Sequence, residues 1–225
     1  MSSPRRQDVR PLVVAGDNPD AVERAAAALH EGAVIAIPTD TVYGLAAALD
    51  QPAALHRLYR LKDRHGEKAI PVLISDVHFL DTLTQRLPRA ARRLAMRYWP
   101  GPLTVVCMAI PGLPPQVTSS VDAQRTVAVR LPDHELARAI VRAAGGRLAV
   151  TSANTAGEPP AQSAAECAEL AGGTPDLIVD GGRSPIGVPS TIVSLVDRVP
   201  VVLREGAISG SDVEMVMQGR LPPRD

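Results

Sequence analysis

The sequence predicts a single α/β domain: an open sheet with helices packed against it and ligands bound at the strand ends. Three observations carry this prediction. Short apolar runs alternate with helical patterns along the chain, the signature of helices layered on a sheet. Hydrophobic residues make up 45% of the 225 residues but aromatics only 2%, so the core must be built from Ala, Val, Leu and Ile. Polar segments rich in hydroxyls and cations follow or precede the apolar runs, and strand ends are where open α/β sheets bind ligands.

The elements follow in order. Leu12–Val14 reads as a strand. "NPDAVERAAAALHEG" reads as a capped helix, with Asn18 as N-cap, Pro19 at its first position and Gly32 just past its end. Ala33–Ile37 is a buried strand stopped by Pro38, and "DQPAALHRLYRLK" starts a second helix with Asp50 and Pro52. The strand Ile70–Ile74 and the helix "PRAARRLAMRYW" come next, then strands at Leu103–Met108 and Thr126–Leu131. In the latter, alternation puts Val127 and Val129 on one face and Ala128 and Arg130 on the other. "DHELARAIVRAAGG" runs as a helix from Asp133 to a glycine stop, Leu148–Thr151 is a strand, and "AQSAAECAELAGG" is a further helix. Leu177–Val179, Thr191–Leu195 and Val201–Arg204 complete the strands. Residues 1–10 are expected as a tail, 11–209 as the domain, and 210–225 as a short helix and tail.

Composition excludes several function classes. Lys plus Arg is 24 and Asp plus Glu is 24, so bulk charge does not favour nucleic acid. Few aromatics (Tyr43, Tyr59, Phe79, Tyr98 and Trp99) leave few platforms for stacked bases. From His56 to Arg97, however, 10 Lys/Arg face 4 Asp/Glu, a local excess that suits either a solvated helix face or an RNA contact. Cys107 and Cys167 have no CxxC spacing and read as buried apolar residues in a reducing compartment. No apolar run suits a signal peptide or a membrane span, so the expectation is a cytoplasmic protein. A P-loop is absent: after Gly182 and Gly187, Val188 stands where lysine is required. GxSxG, HExxH and GxGxxG are absent too, and the five histidines have no ligand spacing.

Four polar segments hold the candidate chemistry: "PTDT" after Ile37, "LKDRHGEK" from Leu61 to Lys68, "TSANTAG" from Thr151 to Gly157, and "GVPST" from Gly187 to Thr191. Arg130 and Arg204 each end a strand. Singly, "PTDT" is a turn, "LKDRHGEK" a helix end whose cations suit the dipole, and "TSAN" a helix cap. Each arginine alone would be a surface ion pair worth little. Together they suit an anionic ligand that carries hydroxyl groups.

The same stretches, with "WPGPLTVV", "TVAVRLP", "DGG", "GVPSTIVSL" and "VLREGAIS", resemble the YrdC-like threonylcarbamoyl-AMP synthases from about Pro11 to Ser209. The chain departs from that family where Asp63, Arg64 and His65 replace Gly-Arg-Pro after the lysine, where "KAIP" replaces "KPL", and where Pro189 precedes Ser190. The residues after Ser209 are too few for the second domain of longer members, which implies the short form. The resemblance implies a twisted, open, mixed β-sheet flanked by helices (YrdC/RibB-like), with a concave ligand cleft at the strand ends. It implies a nucleotidyltransferase that joins L-threonine, bicarbonate or carbon dioxide, and ATP into threonylcarbamoyl-AMP and pyrophosphate, for the threonylcarbamoyladenosine modification of tRNA. By the same transfer, Lys62 and Arg64 are the catalytic cations on the triphosphate, and Thr126, Ser152, Asn154 and Arg204 bind ATP with them. Thr39, Arg130 and Ser190 take the threonine, Arg130 by its carboxylate. Mg²⁺ is expected on ATP without a dedicated protein metal site, and a downstream tRNA threonylcarbamoyl-transferase complex as partner. The alternatives are an RNA-binding module without catalysis and the carbamoyl-adenylating domain of hydrogenase maturation proteins.

Overall fold

The structure is a computed structural model, and it describes residues 11–62, 69–85, 87–121, 124–155, 157–170, 172–197 and 199–220. In chain order the elements are β1 (Leu12–Ala15), α1 (Ala21–His30), β2 (Ile35–Ile37), β3 (Gly44–Ala48), α2 (Pro52–Leu61) and β4 (Val72–Ile74). Then come α3 (Arg89–Tyr98), β5 (Leu103–Met108), β6 (Thr118–Val121), β7 (Gln124–Arg130), α4 (Glu135–Ala143) and β8 (Arg147–Ser152). The chain closes with α5 (Ala164–Ala168), β9 (Leu177–Asp180), β10 (Thr191–Ser194), β11 (Val201–Arg204) and α6 (Gly210–Met217). One mixed sheet runs β1-β9-β2-β3-β8-β4-β7-β5-β10-β11, with β6 paired to β7.

Two strands were not expected. β3, "GLAAA", is rich in the strongest helix former, yet it is a strand because both its faces are buried between β2 and β8. β6 is polar and pairs only with β7. The start of α1 also differs from expectation. Asn18 does not cap it; its Oδ1 accepts from Asp20 N at 2.9 Å, a local turn, and the helix begins at Ala21. Likewise α4 is capped by His134, whose Nδ1 accepts from Ala137 N at 3.3 Å, and not by Asp133. The predicted tail after α6 lies outside the described residues, whereas α6 itself packs on α3.

The two sheet faces are covered unequally, and that makes the site. On one face, α2 and α5 bury Leu55, Leu58 and Cys167 against Leu45, Val72, Val127 and Val129. On the same face, α3 and α6 bury Leu94 and Val213 against Val105 and Val193. On the opposite face, α1 and α4 bury Leu29 and Ile140 only against the β1-to-β4 half, at Ile35, Ala46, Leu148 and Leu73. The remaining half, over β4, β7, β5, β10 and β11, carries no helix. Among the described residues no helix is long and apolar enough to cross a membrane.

Candidate functional site

That bare half-face is the floor of a cleft of about 550 Å³. Strand register decides its lining. The pairs Val106↔Ala128, Leu73↔Arg130 and Gly44↔Ser152 put these residues on the uncovered side, while Val105↔Val129 faces the core. Thr126, Ala128 and Arg130 therefore line the cleft, as the alternation in "TVAVR" predicts. The cleft extends further than expected. Ser152, Arg130 and Arg204 stand at strand ends, but the floor spreads over the sheet face because no helix covers it. A wider, shallower depression of about 760 Å³ at Gly16, Asp17, Asp133, His134, Glu135 and Asp180 gathers carboxylates and no Lys or Arg, so it does not suit an anion.

The loop "PTDT" forms one wall. Thr39 Oγ1 donates to Val42 O at 2.6 Å and accepts from the backbone N–H groups of Thr41 (3.2 Å) and Val42 (3.3 Å). With the Thr39 proton so placed, the 3.1 Å contact between the two hydroxyls requires Thr41 to be the donor. Thr41 Oγ1 in turn accepts from Arg130 Nη1 at 2.7 Å. The turn and the cleft wall are thus one hydrogen-bonded chain.

Arg130 is buried, at 6% exposure. Its Nη2 donates to Asp40 Oδ1 at 2.5 Å and its Nε to Gly101 O at 3.0 Å. Burial pushes its pKa down; the Asp40 charge opposes this, and the nearby Arg204 charge reinforces it. The surface ion pair considered for Arg130 alone is therefore corrected to a buried pair with Asp40. Across the cleft, Arg204 donates to Ser190 O through Nη2 (2.7 Å) and Nε (3.2 Å), and Ser190 Oγ pairs with Thr104 Oγ1 at 2.8 Å.

Lys62 closes α2 and is 3% exposed. It does not line the cleft; its Nζ donates to Ser152 O (2.8 Å), Ser152 Oγ (3.1 Å) and Asn154 Oδ1. The reading of this segment as a solvated helix end is corrected for Lys62, because the ammonium is turned inward onto the loop after β8. Asn154 Nδ2 donates to Glu158 O at 2.7 Å, which fixes that loop. Arg64 lies outside the described residues. The cleft therefore brings together Thr39, Thr126, Arg130, Ser152, Ser190 and Arg204, with Lys62 and Asn154 one side chain behind Ser152. Asp40, Thr41, Thr104 and Ser119 were missed. Thr104 had a signal, a lone hydroxyl on the Arg130-facing side of "LTVVC"; Asp40 had none beyond its turn.

Comparison with known proteins follows this geometry. The Sua5_yciO_yrdC family model, described as "Telomere recombination", matches residues 27–206. A threonylcarbamoyl-AMP synthase of Bacillus subtilis is 40% identical over 201 residues, 89% of this chain and 57% of that protein. A threonylcarbamoyl-AMP synthase of Thiobacillus denitrificans is 38% identical over 167 residues, 74% of this chain and 87% of that protein. The crystal structure of Pyrococcus abyssi Sua5 complexed with L-threonine superposes with a TM-score of 0.83 at 35% identity, over 94% of this chain and 62% of that one. This chain thus spans little more than half the length of the Bacillus relative.

Proposed function

The chain belongs to the Sua5_yciO_yrdC family, and on that premise we propose that it makes threonylcarbamoyl-AMP and pyrophosphate from L-threonine, bicarbonate or carbon dioxide, and ATP. The observation that carries the proposal is the cleft itself: two arginines and a set of hydroxyls on a bare sheet face. Thr126 and Arg130 stand four residues apart on one face of β7, roughly 13 Å at the rise of a strand. That span separates a nucleotide end from an amino-acid end.

In this reading the Arg130 fork takes the threonine carboxylate, flanked by Thr39 and Ser190. The threonine amine combines with bicarbonate to give a carbamate and water. A carbamate oxygen then attacks the α-phosphorus of ATP in line, and pyrophosphate leaves with the electron pair of the broken P–O bond. Positioning and charge dispersal suffice for such a transfer, which suits a cleft of cations and hydroxyl donors. Ser152, Thr126, Asn154 and Arg204 are assigned to the nucleotide. Lys62 and Arg64 are assigned to the phosphates, Lys62 reaching them past Ser152, on which its ammonium rests. Mg²⁺ enters as the ATP complex; the cleft lining contains no carboxylate, so the ion is held by phosphate oxygens and water.

The product is an activated acyl donor, and a tRNA threonylcarbamoyl-transferase complex is proposed to consume it in the cytoplasm, where the free cysteines Cys107 and Cys167 stay reduced. A direct tRNA contact is favoured by α3, whose Arg89, Arg92, Arg93 and Arg97 have no acidic residue on their helix. Pyrophosphate release is measured with ATP and bicarbonate, supplying each amino acid in turn. Release that depends on threonine is expected; release indifferent to threonine would overturn the proposal.

A further inference from the structure

We propose that Asp40 is a positioning residue: its carboxylate fixes the Arg130 guanidinium so that one N–H of each terminal nitrogen is left for a substrate carboxylate. The inference deepens the functional reading above and rests on it. A guanidinium has five N–H donors. Here each of the three nitrogens is anchored once, Nε to Gly101 O, Nη1 to Thr41 Oγ1 and Nη2 to Asp40 Oδ1. Three anchors on three nitrogens fix both the plane of the group and its rotation within that plane. Two N–H groups remain, one on Nη1 and one on Nη2, and Arg130 lines the cleft.

The anchor is itself braced. Asp40 is 3% exposed, and its backbone carbonyl accepts from Ile186 N at 3.1 Å while Thr41 O accepts from Gly187 N at 2.8 Å. The loop that carries the carboxylate is therefore tied to a second loop on the far side of the wall.

Two features separate positioning from a mere stabilising ion pair. Buried ion pairs contribute little net stability, because desolvation of both charges offsets their attraction. Asp40 Oδ2 is also buried with no hydrogen-bond partner, a destabilising arrangement that selection for stability alone would not retain. What the pair does supply is direction. Without Asp40, a buried cation beside Arg204 would turn toward other carbonyl acceptors and lose the alignment that a planar carboxylate needs.

The test is steady-state kinetics on the wild type, Asp40→Asn, Arg130→Lys and the double variant. Losing one charged anchor should raise the KM for threonine about 10-fold or more in Asp40→Asn, with the KM for ATP changed less than about 2-fold. In the Arg130→Lys background the fork is already gone, so the Asp40 substitution should add little to the threonine KM. A wild-type threonine KM in Asp40→Asn, or effects that add in full, overturns the proposal even if the variant melts earlier. Should Asp40→Asn fail to fold, Asp40→Glu keeps the charge but displaces the oxygen; the same selective rise is expected, and an unchanged threonine KM overturns the proposal. A wild type whose turnover ignores threonine instead overturns the functional reading, and this proposal with it.

Discussion

Replacing Lys62 with Met removes the ammonium and keeps most of the buried stem. Three contacts are lost, to Ser152 O, Ser152 Oγ and Asn154 Oδ1. None of these atoms is orphaned. Ser152 O still accepts from Asn154 N at 3.1 Å, and Ser152 Oγ and Asn154 Oδ1 still bond each other at 2.7 Å. The substitution also removes a buried charge. The stability loss should therefore sit near the value of one charged hydrogen bond, about 1–3 kcal/mol, and not three times that. For a chain of this length that is a fall in Tm of roughly 2–12 °C. Catalysis should respond more steeply. If the ammonium disperses charge on the phosphates, kcat/KM for ATP falls ~10²-fold or more, equivalent to about 2.7 kcal/mol of transition-state stabilisation. Calorimetry and pyrophosphate release at a temperature well below both melting points separate the two effects. A variant that melts as expected but turns over within about 3-fold of wild type would make Lys62 a latch for the loop after β8 and refute its catalytic assignment.

Three further outcomes are expected. Arg130→Lys should raise the threonine KM far more than the ATP KM, and it should also lower Tm by roughly 4–12 °C, since lysine cannot satisfy Asp40, Thr41 and Gly101 together; unchanged threonine KM would make Arg130 purely structural. His134 should confer acid sensitivity: burial holds its pKa below its ordinary 6.5, so its contribution is complete above pH 6.5 and is lost as pH falls through the lower folded value, while His134→Asn keeps a cap and flattens the profile. Urea midpoints between pH 7 and 5 that move equally in both proteins would contradict this. Burial pushes the thiols of Cys107 and Cys167 up to about 12, so a thiol reagent at pH 8 should label neither before denaturation and both after it; rapid labelling of the native protein would contradict their burial.

Much of the fold was legible because burial follows pattern. The alternation in "TVAVR" set which residues of β7 face the core and which face the cleft, and the structure keeps that assignment. β3 was not legible, because "GLAAA" carries helix propensity and only its position between two other strands makes it one. The position of the cleft was half legible. Strand-end hydroxyls and arginines mark its rim, but its floor exists because α1 and α4 stop short of β7, a fact of helix placement that no local motif states. Asp40 illustrates the remaining gap. An aspartate between two threonines reads as turn chemistry, and its link to Arg130 joins residues 90 positions apart.

The central claim is the identity of the product, and the most direct measurement is its mass. The protein is incubated with ATP, Mg²⁺, L-threonine and isotopically labelled bicarbonate, and the products are separated and weighed by mass spectrometry. The proposed function predicts an adenylate that contains threonine and one labelled carbon, formed in step with pyrophosphate and absent when any one substrate is omitted. Pyrophosphate released without that adduct, or an adduct that lacks the labelled carbon, would contradict it.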